Sequence, residues 1–101
     1  MVRRKRGTTW VETSVDELLD LSAEDRVIME FRVALALALQ KARKRRNLSQ
    51  GPAAELIGTS QAQVSKMEAG LSSVTLDRMV KALTALGVSR TTIVKAISHA
   101  A

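Results

Sequence analysis

The run "SQAQVSK" at residues 60–66 crowds two amides, two hydroxyls and an ammonium group into two helical turns. A glutamine amide offers one donor and one acceptor side by side, the complement of adenine N6 and N7. A lysine reaches guanine O6 or N7, or a phosphate. These groups recognise; none of them is paired with a base or nucleophile that would make or break bonds. Upstream, "KARKRRN" places Lys41, Arg43, Lys44, Arg45 and Arg46 together. A helix C-terminus attracts cations through its dipole, which accounts for part of that cluster, but five bases in six residues exceed what a helix end requires.

Other chemistries find little support. The single histidine, His99, stands near the end of the sequence and reads as a solvated residue. Asp16/Glu17 and Glu24/Asp25 are neighbours in sequence, so each pair splays over a helix surface and suits first-turn dipole charges, not a dyad or a metal site. Met29, Met67 and Met79 fall at core spacing. There is no cysteine, hence no disulfide framework, thiolate nucleophile or thiolate metal site. Neither an enzyme nor a cofactor is expected, and a cytoplasmic protein fits. No apolar run approaches the roughly 18 residues of a membrane span, and no apolar segment follows the basic start, so neither membrane insertion nor a secretory signal is expected.

Charge divides the 101 residues into three. Residues 1–11 carry +4 through Arg3, Arg4, Lys5 and Arg6; residues 12–30 carry −6, with Arg26 their one base; residues 31–101 carry +8. Residues 1–12 lack an apolar period and are expected to form a flexible basic arm. Residues 13–30 are expected to form an acidic helical extension leading into the first long helix, and residues 31–101 a separate basic domain, the candidate helix-turn-helix body. The basic body suits a polyanion, with the acidic piece kept away from it.

The elements that must position the recognition groups are all helical. Alanine and leucine dominate the apolar residues, aromatics are limited to Trp10 and Phe31, and one proline and five glycines suit short loops. Ser14 with Glu17 fits a capping box over "TSVDELLDL", which has an apolar edge of Val15, Leu18 and Leu19. Ser22 with Asp25 starts a second helix, expected to run to about Arg46. Its inward stripe is Ile28, Phe31, Leu35, Ala38, Leu39 and Ala42; Met29, Val33 and Leu37 form a second stripe, surplus to a minimal core. Ser49 is expected to cap a helix over Gln50–Ile57, with Pro52 in its first turn. Gly58 supplies the turn, and Ser60 caps Gln61–Ala69. A helix over Thr75–Leu86 turns Leu76, Met79, Val80, Leu83 and Leu86 inward, and a last helix does the same with Ile93 and Ile97.

Two short helices about a glycine turn make a helix-turn-helix, whose second helix enters the major groove by its N-terminal residues. Val64 and Met67, three apart, fix its inner side. Gln61, Ala62, Ser65 and Lys66 therefore face outward as base-contact candidates, with Gln63 at the edge. Gln50 and Ser60 sit at helix starts where backbone N–H groups hold phosphates; with Gln63, Lys44, Arg45 and Arg46 they are the candidate backbone contacts.

At this point residues 43–87 resemble the lambda-repressor-like, Xre-type helix-turn-helix domains. The resemblance rests on "LSQ" at 48–50, Ala54, Gly58, "SQ" at 60–61, "VSKMEAG" at 64–70 and "TLDRMVKALTALG" at 75–87. It implies a five-helix all-α domain, here with an N-terminal helical extension, and a structural salt bridge from Arg43 to Glu68. Three departures stand out. Ala53 replaces a larger aliphatic residue, which suggests a thinly packed second helix; "GP" at 51–52 replaces helix-favouring residues; and "LSSV" lacks the basic residues some relatives use on the DNA backbone.

The upstream layout, an acidic short helix and then a long apolar one, is similar to HigA-type antitoxins. That resemblance implies a repressor of its own operon that also neutralises a RelE-like (HigB-like) ribonuclease toxin, with Leu18, Leu19, Met29, Val33 and Leu37 as the candidate partner surface. A stand-alone phage- or Xre-type regulator without a toxin is the alternative. In either case one recognition helix covers too few base pairs, so a homodimer on a palindromic double-stranded operator is expected.

Overall fold

The computed structural model describes residues 22–100, which form five helices and no strand. The expected arm over residues 1–12, the helix after Ser14 and the candidate partner residues Leu18 and Leu19 lie outside the described residues. Helix α1 spans Ala23–Arg45, α2 Gln50–Ile57, α3 Gln61–Glu68, α4 Leu76–Ala85 and α5 Arg90–Ala100. None of them is long and apolar enough to cross a membrane.

Helix α1 begins where Ser22 Oγ accepts the Asp25 N–H at 3.1 Å, as the sequence predicts. Its 23 residues continue unbroken through positions 30 and 31 and extend over about 35 Å. Leu35, Ala36, Leu39 and Ala42 form its buried face. They meet Met67, Val74, Met79, Ala82, Leu83, Leu86 and Ile93 in one core built of leucine, methionine, alanine and a few β-branched residues. Two inward assignments need correction. Ile28 keeps 39% of its surface and Val80 38%, whereas Ala36, absent from the expected stripe, is buried. Spacing gives the face of a helix, but how far along it a neighbour covers that face is decided by the other elements.

The helices are tied by polar clasps as well as packing. Arg32 Nε donates to the Val74 carbonyl at 3.2 Å, joining α1 to the loop before α4. Arg46 Nη1 donates to the Leu86 carbonyl, also at 3.2 Å, where α4 ends. Between α1 and α2 the chain turns at Asn47, whose φ of +56° lies in the left-handed region that asparagine tolerates better than most residues. Gly58, at φ +88°, does the same between α2 and α3. There the N–H groups of Gly58 and Thr59 both donate to the Ala54 carbonyl, at 2.8 and 2.9 Å. A side chain in that conformation costs on the order of 1–2 kcal/mol, which is why glycine stands at the turn.

Candidate nucleic-acid interface

Helix α3 is held from three sides. At its start Ser60 Oγ accepts the Gln63 N–H at 3.1 Å, satisfying a donor the helix cannot pair itself. Along its inner face Val64 and Met67 are buried, as their spacing predicts. At its end Glu68 is the one buried charged residue among those described. Arg43 reaches it from α1 with a two-pronged bond, Nε to Oε2 at 2.6 Å and Nη2 to Oε1 at 2.9 Å.

The fork geometry matters because a buried carboxylate needs more than one donor to offset its lost hydration. Gln50 Nε2 adds a third contact to Glu68 Oε1 at 3.3 Å. Arg43 Nη1 also donates to the Leu48 carbonyl at 3.0 Å, so this one side chain spans α1, the loop and α3. The hydrogen bond that Arg43 donates to the Glu68 carboxylate raises the Arg43 pKa above its ordinary value, against the opposing effect of burial. Gln40 contributes Nε2 to the Glu68 carbonyl at 3.4 Å. Sequence reasoning missed it, although Gln40 lies one turn before Arg43 on the same side of α1.

With its inner face fixed, α3 leaves Gln61, Ala62, Ser65 and Lys66 exposed, and Gln63 half-buried at the edge. A Cβ placed on Gly51 would lie 3.8 Å from Gln61 Oε1, so the first turns of α2 and α3 stand side by side. A methyl group at Gly51 would make only ordinary van der Waals contact with the Gln61 amide.

The remaining assigned residues do not share one surface. Gln50 is turned toward Glu68 and is only partly exposed. Ser60 is exposed, with its hydroxyl engaged in the cap. In the basic cluster Arg43 points inward and Arg46 clasps Leu86. Lys41 and Arg45 line a groove between α1 and α5, and Lys44 is exposed. Successive helical residues radiate by about 100°, so a run dense in sequence is dispersed in space. Met29, Val33 and Leu37 line the same groove.

A helix-turn-helix family model matches residues 39–93, just over half of the chain. No curated protein and no solved structure gives a match. With the glycine turn, the outward face of α3 and the Arg43–Glu68 lock all inside that span, the chain belongs to the helix-turn-helix family of the Xre and lambda-repressor type, a family of DNA-binding transcriptional regulators.

Proposed function

We propose that the protein is a sequence-specific repressor that binds a palindromic operator as a homodimer. The observation that carries this reading is the outward set Gln61, Ala62, Ser65 and Lys66 on a helix whose other side is pinned by Val64, Met67 and the Arg43–Glu68 pair. Base reading needs side chains whose origin does not move, because a bidentate amide contact tolerates little displacement. Gln61 supplies such an amide to adenine, and Lys66 an ammonium to guanine or a phosphate. Ser65 and Ala62 fit the hydroxyl and methyl contacts. Ser60 and Gln63, at the start of α3, and the exposed Lys44 serve the phosphates; Arg45, in the groove between α1 and α5, and Gln50 and Arg46, held by internal bonds, are less well placed to do so. Two copies on half-sites about 34 Å apart complete the footprint.

The test is operator selection followed by competition against random duplex. Gln61→Ala is expected to reduce discrimination by roughly 1–3 kcal/mol while leaving nonspecific binding in place. An unchanged ratio of operator to random affinity would remove Gln61 from the reading face.

A second function is compatible with the first: an antitoxin that neutralises a RelE-like ribonuclease. It is favoured by the charge contrast between the acidic residues 12–30 and a basic body, and by apolar Met29, Val33 and Leu37 left over from the core. Reversing Asp16 and Glu17 to lysine in the full chain should weaken inhibition of the ribonuclease while sparing operator binding. Undiminished inhibition would rule out the acidic segment as its contact.

A further inference from the structure

The groove between α1 and α5 has a volume of about 530 Å³. Its walls are apolar, from Met29, Val33 and Leu37 on α1 to Val88 and Ala96 on α5. Val33 and Leu37, one turn apart, keep 51% and 54% of their surface exposed, so the middle of α1 presents two uncovered aliphatic side chains. Charge along the α1 wall is polarised. Glu30, its single acid, stands one turn before Val33, and Lys41 one turn after Leu37 with Arg45 beyond it; all three are exposed. Lys95 and His99 complete the rim from α5. Most of this lining lies outside the span shared with the helix-turn-helix family, which begins at Leu39 and ends at Ile93.

We propose that this face of α1 pairs with the same face of a second copy, the two α1 helices running antiparallel. The inference rests on the homodimer of the proposed repressor and names the surface that makes it. A two-fold interface must be self-complementary: where one residue meets another, the second meets the first across the axis. Helix α1 has that property about Leu35. Val33 and Leu37 flank this point evenly, so Val33 meets the partner subunit's Leu37, and Leu37 the partner's Val33. Glu30 and Lys41 lie nearly equidistant beyond them, so Glu30 meets Lys41 of the partner subunit, and the contact occurs twice. The residues from Glu30 to Lys41 make close to three turns, so the two charges share one flank of the face, as a two-fold axis between the helices requires. A parallel pairing sets each of these charges against its own kind, which disfavours it. In the antiparallel register the two copies of Lys41 stand about 16 Å apart along the helices, beyond the screening length of about 8 Å. Toward the ends Arg26 comes opposite Lys44, both exposed, so close contact is limited to the turns between Met29 and Lys41, about 18 Å of helix. Any other partner drawn to Met29, Val33 and Leu37 must first part the two copies.

Sedimentation equilibrium of the full chain without DNA tests the pairing. Glu30→Lys and Lys41→Glu each set like charges together at two symmetry-related contacts and should each weaken the dimer about tenfold. The double variant restores both contacts with the signs exchanged, and its dissociation constant should return to within about threefold of the parent. Within one chain the two residues lie about 16 Å apart, so this rescue reports contact between chains. Leu37→Asp, at a half-exposed position outside the core, should keep the parent's helical circular dichroism and weaken the dimer as well. A double variant no better than the single ones, or a Glu30→Lys dimer tighter than the parent, overturns the antiparallel pairing. A dimer that none of these substitutions changes overturns it too, but leaves the homodimer standing with its interface elsewhere. A chain that stays monomeric at every concentration removes the pairing and the free homodimer together, and leaves the base-reading role of α3 to be judged by the Gln61→Ala competition.

Discussion

Helices α2 and α3 are each eight residues long, each follows a serine with extended backbone, and they pack against one another across Gly58, yet they are built for different work. Helix α2 buries Ala53 and Ala54, the smallest side chains available, so it approaches its neighbours closely and fills a gap. Helix α3 buries a valine, a methionine and a glutamate, and the glutamate is gripped from α1 and α2. The first is a spacer held by proximity. The second is a platform held at both ends, and its outer face is the one that carries amides. Rigidity is concentrated where side chains must be aimed, which is what a reading helix needs and a spacer does not.

The most forceful way to break this contrast is to remove the grip. Arg43→Ala strands the Glu68 carboxylate in a site where its side chain is only 5% exposed. We expect a loss on the order of 3 kcal/mol in denaturant unfolding, toward the lower end for buried pairs because Arg43 itself keeps 13% exposure. Replacing both partners, Arg43→Met with Glu68→Leu, should recover most of that stability, since paired charges and packed aliphatics are often nearly equivalent. If the double variant is as unstable as the single, the Arg43 bond to the Leu48 carbonyl, and not the ion pair, is what holds the region together.

Much of this platform is legible in the sequence because its signals are local. The bounds of α2 agree at both ends, and α3 stops one residue before the expected Ala69. Serine before, glycine after and apolar residues three apart are short-range instructions that no distant element overrides. The outward set on α3 follows from Val64 and Met67 for the same reason. What the sequence hides depends on distant elements. Arg46 finds the Leu86 carbonyl only because α4 ends beside α1. Gln50 turns inward only because Glu68 is there to receive it. Ile28 stays exposed because nothing described packs over the first turns of α1 closely enough to bury it. Ala53, read as a sign of thin packing, is fully buried, since a helix drawn close needs no larger side chain.

The finest test of the contrast lies in the two serines that look interchangeable in sequence. Ser60 accepts a hydrogen bond from the Gln63 N–H, whereas Ser49 occupies the same position before α2 with no such bond from its side chain. A cap that satisfies a helix N–H typically contributes about 1 kcal/mol, so Ser60→Ala should cost about that in unfolding free energy. Ser49→Ala removes an exposed hydroxyl that caps nothing and should stay within about 0.5 kcal/mol of the parent. Equal costs would mean that the Ser49 hydroxyl engages in solution and that α2 is anchored as firmly as α3. Unequal costs would place the anchoring at the start of α3, where Gln61 and Gln63 leave the turn and where a small displacement would carry their amides off a base edge.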